Sequence, residues 1–168
     1  MRHQLIIHAA ILLSSSASAE TQPMSSNPDF EISAACAGSS RCIFERDDVD
    51  FIVTVKNVSN TTIKFPLEFI RRGGPYITLH DNRRNYSESV PSGMRDEKLL
   101  NDFTLLEAGQ SVSVPGSINA SRLEEWGGSS ADVTAQIRIS APLDGTFTFR
   151  LIGETTLRII GKDVKENP

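Results

Sequence analysis

Apolar and polar residues alternate most regularly in the segment that begins at Val49. Apolar residues occupy every second position from Val49 to Val55, and mostly polar residues occupy the positions between them, from Asp50 to Lys56. Successive side chains of a β-strand point to opposite faces, so this period of two predicts a strand that is buried on one face. The polar cluster Asn57–Asn60 then predicts a turn.

The same period recurs along the rest of the chain, between residues that favour turns. The short polar loop before Thr62 indicates either an antiparallel hairpin or a corner between two sheets. Glu107–Gln110, in which Gly109 can adopt a positive φ, indicates a second hairpin. The fold is expected to begin near Phe30, and further strands are predicted at Thr62–Phe69, Tyr76–His80, Phe103–Leu106, Ser111–Pro115, Val133–Ser140, Thr146–Ile152 and Leu157–Ile160.

This number of short strands, about eight, predicts an all-β protein. We expect an immunoglobulin-like antiparallel β-sandwich. A small β-barrel is the alternative, because the number of strands alone does not separate the two architectures.

One segment departs from the strand period. Ser121 and Glu124 have the spacing of a capping box, which predicts a short helix that runs to Trp126. Leu123 and Trp126 are expected to hold this helix against the sandwich. The polar stretch Ser87–Asp96 predicts a long loop.

The first residues have the parts of a secretory signal peptide. Arg2 is followed by the apolar run Leu5–Leu13 and by the small-residue sequence Ala17-Ser18-Ala19. The apolar run is far shorter than the roughly 20 residues that span a bilayer. We therefore expect a periplasmic or secreted protein without a membrane span. The expected division is a signal peptide at 1–19, a flexible leader at 20–28, the immunoglobulin-like β-sandwich at 29–161 and a frayed tail at 162–168.

The charge of the chain argues against nucleic acid as a partner. The sequence carries 17 Lys and Arg against 21 Asp and Glu, a formal net charge of −4, and its basic residues are scattered. Nucleic-acid surfaces need clustered positive charge.

Cys36 and Cys42 are separated by the flexible segment Ala-Gly-Ser-Ser-Arg. In an oxidising compartment such a pair is expected to form a disulfide. A redox or metal pair would have C-x-x-C spacing and further ligands. The disulfide is expected to hold the N-terminal strand more than to stabilise the whole fold, because it closes a short loop.

Two segments resemble a known family. Val53–Ile63 (VTVKNVSNTTI) and Leu105–Ser113 (LLEAGQSVS) resemble bacterial immunoglobulin-like domains, in the style of the BsuPI proteinase-inhibitor fold and of the β domain that precedes deuterolysin-type metalloproteases. The resemblance covers about half of the mature chain. It implies the sandwich, and the inhibitor family implies binding to a protease. No inhibitory residue is transferred, because the Ser87–Asp96 loop and the cysteine pair have no counterpart.

Residues that could support catalysis are few. His80 is the one histidine beyond the expected signal peptide, whereas nucleophilic catalysis usually needs a nucleophile, a base and an orienting acid. We interpret His80 as a histidine at a strand edge. The acidic groups at 47–50 and 124–125 lack the spacing of a calcium loop, and Glu124 is assigned to helix capping. No enzyme activity, no cofactor and no metal site are expected.

Four N-x-S/T sequons begin at Asn57, Asn60, Asn85 and Asn119. In a eukaryotic source these would be expected to carry glycans on loops. The resemblance favours a bacterial source, in which the sequons indicate polar turns.

Candidate binding residues come from loops that are rich in Arg and Tyr, the residue types that often anchor interfaces. Loops at the ends of a sandwich are also the usual location of binding sites. Solvated loops are the competing interpretation, and Trp126 is either a further anchor or a core residue. The candidates are Arg71, Arg72, Tyr76, Arg83, Arg84 and Tyr86.

The function predicted from the sequence is that of an exported, non-catalytic binding protein that recognises a protein partner. In its sharper form the partner is a hydrolase, and the protein is a proteinase inhibitor or an immunity-type neutraliser. The alternative is a structural or assembly accessory of the envelope that docks by edge-strand pairing. An enzyme with an unrecognised site is a third hypothesis.

Overall fold

The computed structural model describes residues 27–165. The predicted signal peptide, most of the predicted leader and the end of the predicted tail lie outside the described residues. Within the described part, no helix is long and apolar enough to cross a membrane.

Residues 27–165 form ten β-strands and two short α-helices. Short 3-10 helices occupy Glu97–Leu99 and Gly128–Ser130. The helices are α1 (Leu67–Gly73) and α2 (Ala120–Glu125). The strands are β1 (Phe30–Cys36), β2 (Cys42–Phe44), β3 (Val49–Asn57), β4 (Ile63–Phe65), β5 (Tyr76–Asp81), β6 (Tyr86–Val90), β7 (Thr104–Leu106), β8 (Ser111–Ile118), β9 (Asp132–Ala141) and β10 (Arg150–Gly161).

The strands form an all-β, sandwich-like fold, as predicted. One sheet has three strands in the order β1-β3-β8, the second has five in the order β2-β10-β9-β5-β6, and β4 and β7 form a separate pair. All strand pairs are antiparallel except β2 with β10. The described strands do not close into one cylinder, which argues against the barrel alternative.

The core lies between the three-stranded and the five-stranded sheets. The alternation predicted for β3 is confirmed, because Val49, Phe51, Val53 and Val55 are all buried. In β9 every second residue from Val133 to Ala141 is buried in the same way. These two strands contribute to a single apolar cluster.

The predicted Cys36–Cys42 disulfide is present. Cys36 ends β1, at one edge of the three-stranded sheet, and Cys42 begins β2, at one edge of the five-stranded sheet. The bond therefore joins the two sheets at one side of the sandwich.

The strand predicted at Thr62–Phe69 is wrong in its second half, where the chain forms α1. The buried residues of α1 are Leu67, Phe69, Ile70 and Gly73. The first two fit a period of two, but the spacing of three from Leu67 to Ile70 and to Gly73 fits one face of a helix. The polar loop before β4 is a corner between sheets, because β3 and β4 belong to different sheets.

The predicted second hairpin is also wrong. Gly109 has the expected positive φ of 78°, but β7 pairs with β4 and β8 pairs with β3. The turn thus carries the chain from one sheet to another. The two strands predicted at the end of the chain are a single strand, β10, with an irregularity between Leu151 and Gly153.

The helix predicted near Ser121 is present, but its capping box is wrong. The N-cap residue is Asn119, which makes no side-chain cap bond. The Ala120 N–H donates instead to Asp48 Oδ1 at 2.7 Å. An acceptor that is distant in sequence therefore caps α2. Leu123 and Trp126 are buried, as predicted.

Asn57 is a buried structural residue. Its Nδ2 donates to the carbonyl oxygens of Thr61 (2.7 Å) and Leu106 (2.8 Å), and its Oδ1 accepts from the Ser59 N–H at 3.0 Å. The amide therefore fastens the corner after β3 to β7. The folded chain offers no glycan acceptor at this sequon, whereas Asn60, Asn85 and Asn119 are exposed.

Candidate functional site

The six candidate binding residues form two groups at opposite ends of the hairpin made by β5 and β6. Arg71, Arg72 and Tyr76 lie near the start of β5, and the other three lie around the turn after Asp81. A strand rises by about 3.4 Å per residue, so β5 separates the groups by roughly 17 Å.

The two arginines of the first group have different environments. Arg71 donates from Nε to the Ser113 carbonyl oxygen at 3.0 Å, and its Nη1 lies 2.7 Å from Glu68 Oε1. These contacts fasten α1 to β8. Arg72 is exposed and forms no ion pair with any residue in the range 27–165. Arg72 is therefore the more accessible of the two for a partner.

Tyr76 belongs to an aromatic cluster around Arg95, which the sequence did not reveal. The Arg95 guanidinium carbon lies 4.5 Å from the ring centre of Tyr76, 5.9 Å from that of Phe69 and 5.6 Å from that of Phe149. We call these four residues the Arg95 cluster. Arg95 also donates to the Gly74 carbonyl oxygen over 3.4 Å. Cation–π contacts of this kind fix the loop that carries Arg95 against α1 and β5.

Large exposed apolar side chains adjoin members of the Arg95 cluster in the sequence: Met94 directly precedes Arg95, and Phe147 lies two residues before Phe149. Met94 is 91% exposed, Phe147 is 59% exposed and Phe149 is 40% exposed. Arg72 lines a recess of about 250 Å³ together with Pro91–Gly93, the residues directly before Met94 in the chain. We call Arg72, Met94, Phe147 and Phe149 the loop-end surface. The available sequence signal was weak: one Met in a polar loop, and Phe-Thr-Phe after a turn.

The second group surrounds a tight turn. Asp81 Oδ1 accepts from the backbone N–H groups of Arg83 (2.8 Å) and Arg84 (3.1 Å). Arg84 Nε lies 3.2 Å from Asp81 Oδ2. Arg84 is therefore tied to the turn that it belongs to, whereas the Arg83 side chain is exposed and forms no ion pair with a described residue.

Tyr86 packs on Trp126 at the start of β6. The two ring centres are 5.1 Å apart, and Tyr86 is 54% exposed whereas Trp126 is 6% exposed. Trp126 is thus a core residue with one side against a surface aromatic. The rings form part of a recess of about 170 Å³, which we call the Trp126 recess and which is lined by Asp81, Arg84, Tyr86, Glu88, Glu125 and Trp126.

His80 and Asp81 are adjacent in sequence but lie on opposite faces of β5. His80 Nε2 is 3.4 Å from Gln136 Oε1 on the outer face, whereas Asp81 is buried on the inner face. Asp81 is therefore in no position to orient the His80 ring. Within residues 27–165, no group of three or more His, Cys, Asp or Glu side chains is arranged to hold a metal ion.

Asp132 joins the start of β9 to its neighbours on both sides. Its carboxylate accepts from Arg158 Nε at 3.0 Å and from Arg158 Nη2 at 2.9 Å, and its Oδ1 accepts from Asn82 Nδ2 at 2.7 Å. The hydrogen bonds from Arg158, with a smaller contribution from Asn82, hold the pKa of Asp132 below the usual value for an aspartate.

Comparisons with known proteins assign no family to the chain. No family model matches it, and no curated protein matches it. Among solved structures it is similar to a mutant β-glucosidase from Listeria innocua in complex with laminaribiose, with 11% identity, a TM-score of 0.34, and coverage of 79% of this chain and 16% of that chain. It is also similar to the structural-genomics target SoR45, with 7% identity, a TM-score of 0.38, and coverage of 83% of this chain and 91% of that chain. Both TM-scores are too low to carry an argument about function.

Proposed function

We propose that the chain is an exported, non-catalytic binding protein that recognises a protein partner through the loop-end surface. The observation that carries this proposal is the exposure of Met94, Phe147 and Phe149, which belong to the two segments that supply Arg95 and Phe149 to the Arg95 cluster. Soluble proteins rarely leave large apolar side chains grouped at the surface unless that surface binds something. Aromatic residues, Met and Arg are also the types enriched in protein interfaces.

The loops that carry this surface are held in place before binding. Arg95 contacts rings from α1, β5 and the segment before β10. The Gly93 N–H also donates to the Gly73 carbonyl oxygen at 2.9 Å. A surface fixed in this way loses less conformational entropy when a partner binds, which favours affinity.

Charge favours a particular kind of partner. Arg72 lines a recess with Pro91–Gly93, directly before Met94, and forms no ion pair within the described residues. A complementary partner surface would present an apolar depression with carboxylates at its rim.

The finer proposals, that the fold is immunoglobulin-like and that the partner is a hydrolase, are supported by the family resemblance of the segments at 53–63 and 105–113. Export to the periplasm or outside the cell is supported by the signal-like N-terminus, and the disulfide is compatible with it.

The test is affinity capture with matched variants. Tagged chain 20–168 would be exposed to the periplasmic or secreted fraction of the host. We expect one stoichiometric partner on the wild type, and at least a tenfold loss on the double variant Met94→Ser, Phe147→Ser, with an unchanged melting temperature. Arg72→Glu should also weaken binding, and the loss should grow as the salt concentration falls.

Ile43→Ser is the matched control. Ile43 is 44% exposed, and it pairs with Ile160 at the far end of β10 from Arg150. Ten residues of β10 separate Ile160 from Arg150, a distance of roughly 33 Å. Equal retention of the partner by the double variant and by the control would refute the loop-end surface. A partner with hydrolase activity that is not reduced on binding would refute the inhibitor form.

A second candidate function is that of an assembly accessory that docks by strand pairing. The observation that favours it is the position of β6, which pairs only with β5 among the described strands.

A further inference from the structure

The outer edge of β6 carries backbone groups that no described residue pairs with. The Asn82 N–H donates to the Asp132 carbonyl oxygen at 2.9 Å, across to β9. Backbone groups alternate in direction along an antiparallel strand, so residues 77, 79 and 81 of β5 face β6. Their pairing partners are Val90, Glu88 and Tyr86. The N–H and C=O groups of Ser87 and Ser89 therefore point away from the sheet, and both residues are exposed.

The side chains of β6 show what an added strand would meet. Directly paired residues lie on the same face of a sheet, so Tyr86 and Glu88 share the inner face with the buried residues Asp81 and Leu79. Helix α2 covers this inner face at the edge, because Arg122 forms an ion pair with Glu88. A strand added beyond β6 would direct every second side chain toward the Trp126 recess.

The Trp126 recess is suited to a cation. Three of its lining residues are acidic and one, Arg84, is basic. Arg84 is engaged by Asp81, and Glu88 is engaged by Arg122. The carboxylate of Glu125 forms no ion pair with any residue between 27 and 165. The exposed Tyr86 ring, which packs on Trp126, provides a face that attracts a cation.

We propose that β6 binds an extended segment of a partner protein as an added strand, and that a Lys or Arg side chain of this segment occupies the Trp126 recess. Ser87 and Ser89 supply the backbone hydrogen bonds, and Glu125 supplies the unpaired charge. A segment of about five residues would match the length of β6. The proposal rests on the second candidate function, docking by strand pairing, and is independent of the loop-end surface, which lies at the other end of the hairpin.

The first experiment uses synthetic peptides and the full chain after signal cleavage. The probe is acetyl-Thr-Val-Thr-Lys-Thr-Val-Thr-amide, in which Lys and both Val share one face. Trp126 is the single tryptophan, so its fluorescence reports on the recess directly. We expect a saturable fluorescence change, together with slower hydrogen exchange at the Ser87 and Ser89 amides.

Variants of the peptide and of the protein separate the two parts of the site. Replacing the peptide Lys with Glu should weaken binding at least tenfold, and methylation of the peptide backbone nitrogens should abolish it. Glu125→Gln should weaken binding of the Lys peptide severalfold. Glu124→Gln is its matched control, because Glu124 does not line the recess. Ser89→Pro should abolish binding, because it removes one outward N–H that the added strand would need. The variant should still fold, because proline is tolerated where a strand edge faces solvent.

Several outcomes would overturn the proposal. Absence of saturable binding at millimolar peptide would do so, as would full binding of the methylated peptide. Equal binding of tetramethylammonium and the peptide would show a site for small cations instead. A dimer of the chain that is lost in Ser89→Pro would show that a second copy occupies β6. Loss of peptide binding in Met94→Ser, Phe147→Ser would place the site at the loop-end surface instead.

Discussion

β6 and β8 are edge strands of two different sheets. The outward backbone groups of β8 are protected, whereas those of β6 are open. Both strands contribute to the recess beside Arg72. In β8 the outward position Ser113 has its carbonyl oxygen covered by Arg71, and the outward position Pro115 has no N–H. In β6 the outward groups of Ser87 and Ser89 have no described partner. Natural proteins usually blunt exposed strand edges to prevent unwanted pairing.

The difference indicates which edge serves the fold and which is available to a partner. α1 and proline protect β8, and Gly116 within β8 admits the buried Phe51 ring at close range. β6 has polar, exposed side chains at its outward positions and no such protection. Substitutions in β8 should therefore cost stability, whereas substitutions at the outward positions of β6 should affect binding alone.

Gly116→Ala in β8 has the largest expected effect on stability. A Cβ atom at Gly116 would lie 2.3 Å from Phe51 Cζ, and Phe51 is fully buried. Overpacking of this kind costs about 1–3 kcal/mol. Urea denaturation would measure it, with Ser89→Ala in β6 as the matched control, expected to change stability by less than about 0.5 kcal/mol. Similar losses in the free energy of unfolding for both variants would show that the outward positions of β6 also contribute to stability.

Arg71→Ala should have the next largest effect. It removes the hydrogen bond to the Ser113 carbonyl oxygen and the ion pair with Glu68. Because the Arg71 side chain is 39% exposed, we expect the loss to be about 1 kcal/mol at most. Arg72→Ala is the control and should be close to neutral. If the Arg71→Ala variant is as stable as the wild type but fails to bind a partner, Arg71 contributes to the binding interface and not to the stability of the fold.

The strands with regular alternation were predictable because their burial follows from the local sequence. In β3 and β9 one face packs on the core, and the period of two records this directly. Leu67 and Phe69 fit a strand and a helix equally well, so the period alone did not reveal α1. The pairing of β7 with β4 depends on contacts between distant segments, which local turn chemistry at Gly109 does not specify.

The candidate sites were only partly predictable for a related reason. Tyr76 and Tyr86 were identified from residue type, but their partners were not. Arg95 meets rings that lie up to 54 positions away in the sequence, at Phe149, and no local pattern brings such residues together. The polar stretch Ser87–Asp96, which includes most of β6, predicts a loop. In the structure the inner side of β6 is weakly buried, with Tyr86 exposed and Glu88 and Val90 half buried, so the segment lacks the apolar alternation that indicates a strand.

Asp132→Asn has the smallest expected effect on stability, because it weakens the hydrogen bonds that hold the turn before β6. Asp132 accepts a hydrogen bond from Asn82, which follows β5, and two from Arg158. Asp132→Asn should lower the free energy of unfolding at pH 7 by about 0.5 kcal/mol, a modest value because the Arg158 side chain is 54% exposed.

The pH dependence of this effect has a definite sign. Because the pKa of Asp132 is lowered in the folded state, its stabilisation is fully present above the ordinary aspartate value of about 3.9. It is lost as the pH falls through the lower folded value. Urea denaturation of the wild type and Asp132→Asn should therefore show a gap at pH 7 that narrows below pH 4. If the difference in the free energy of unfolding persists in strong acid, Asp132 holds the turn by its shape and not by its charge. The position of the open β6 edge would then not depend on pH through this residue.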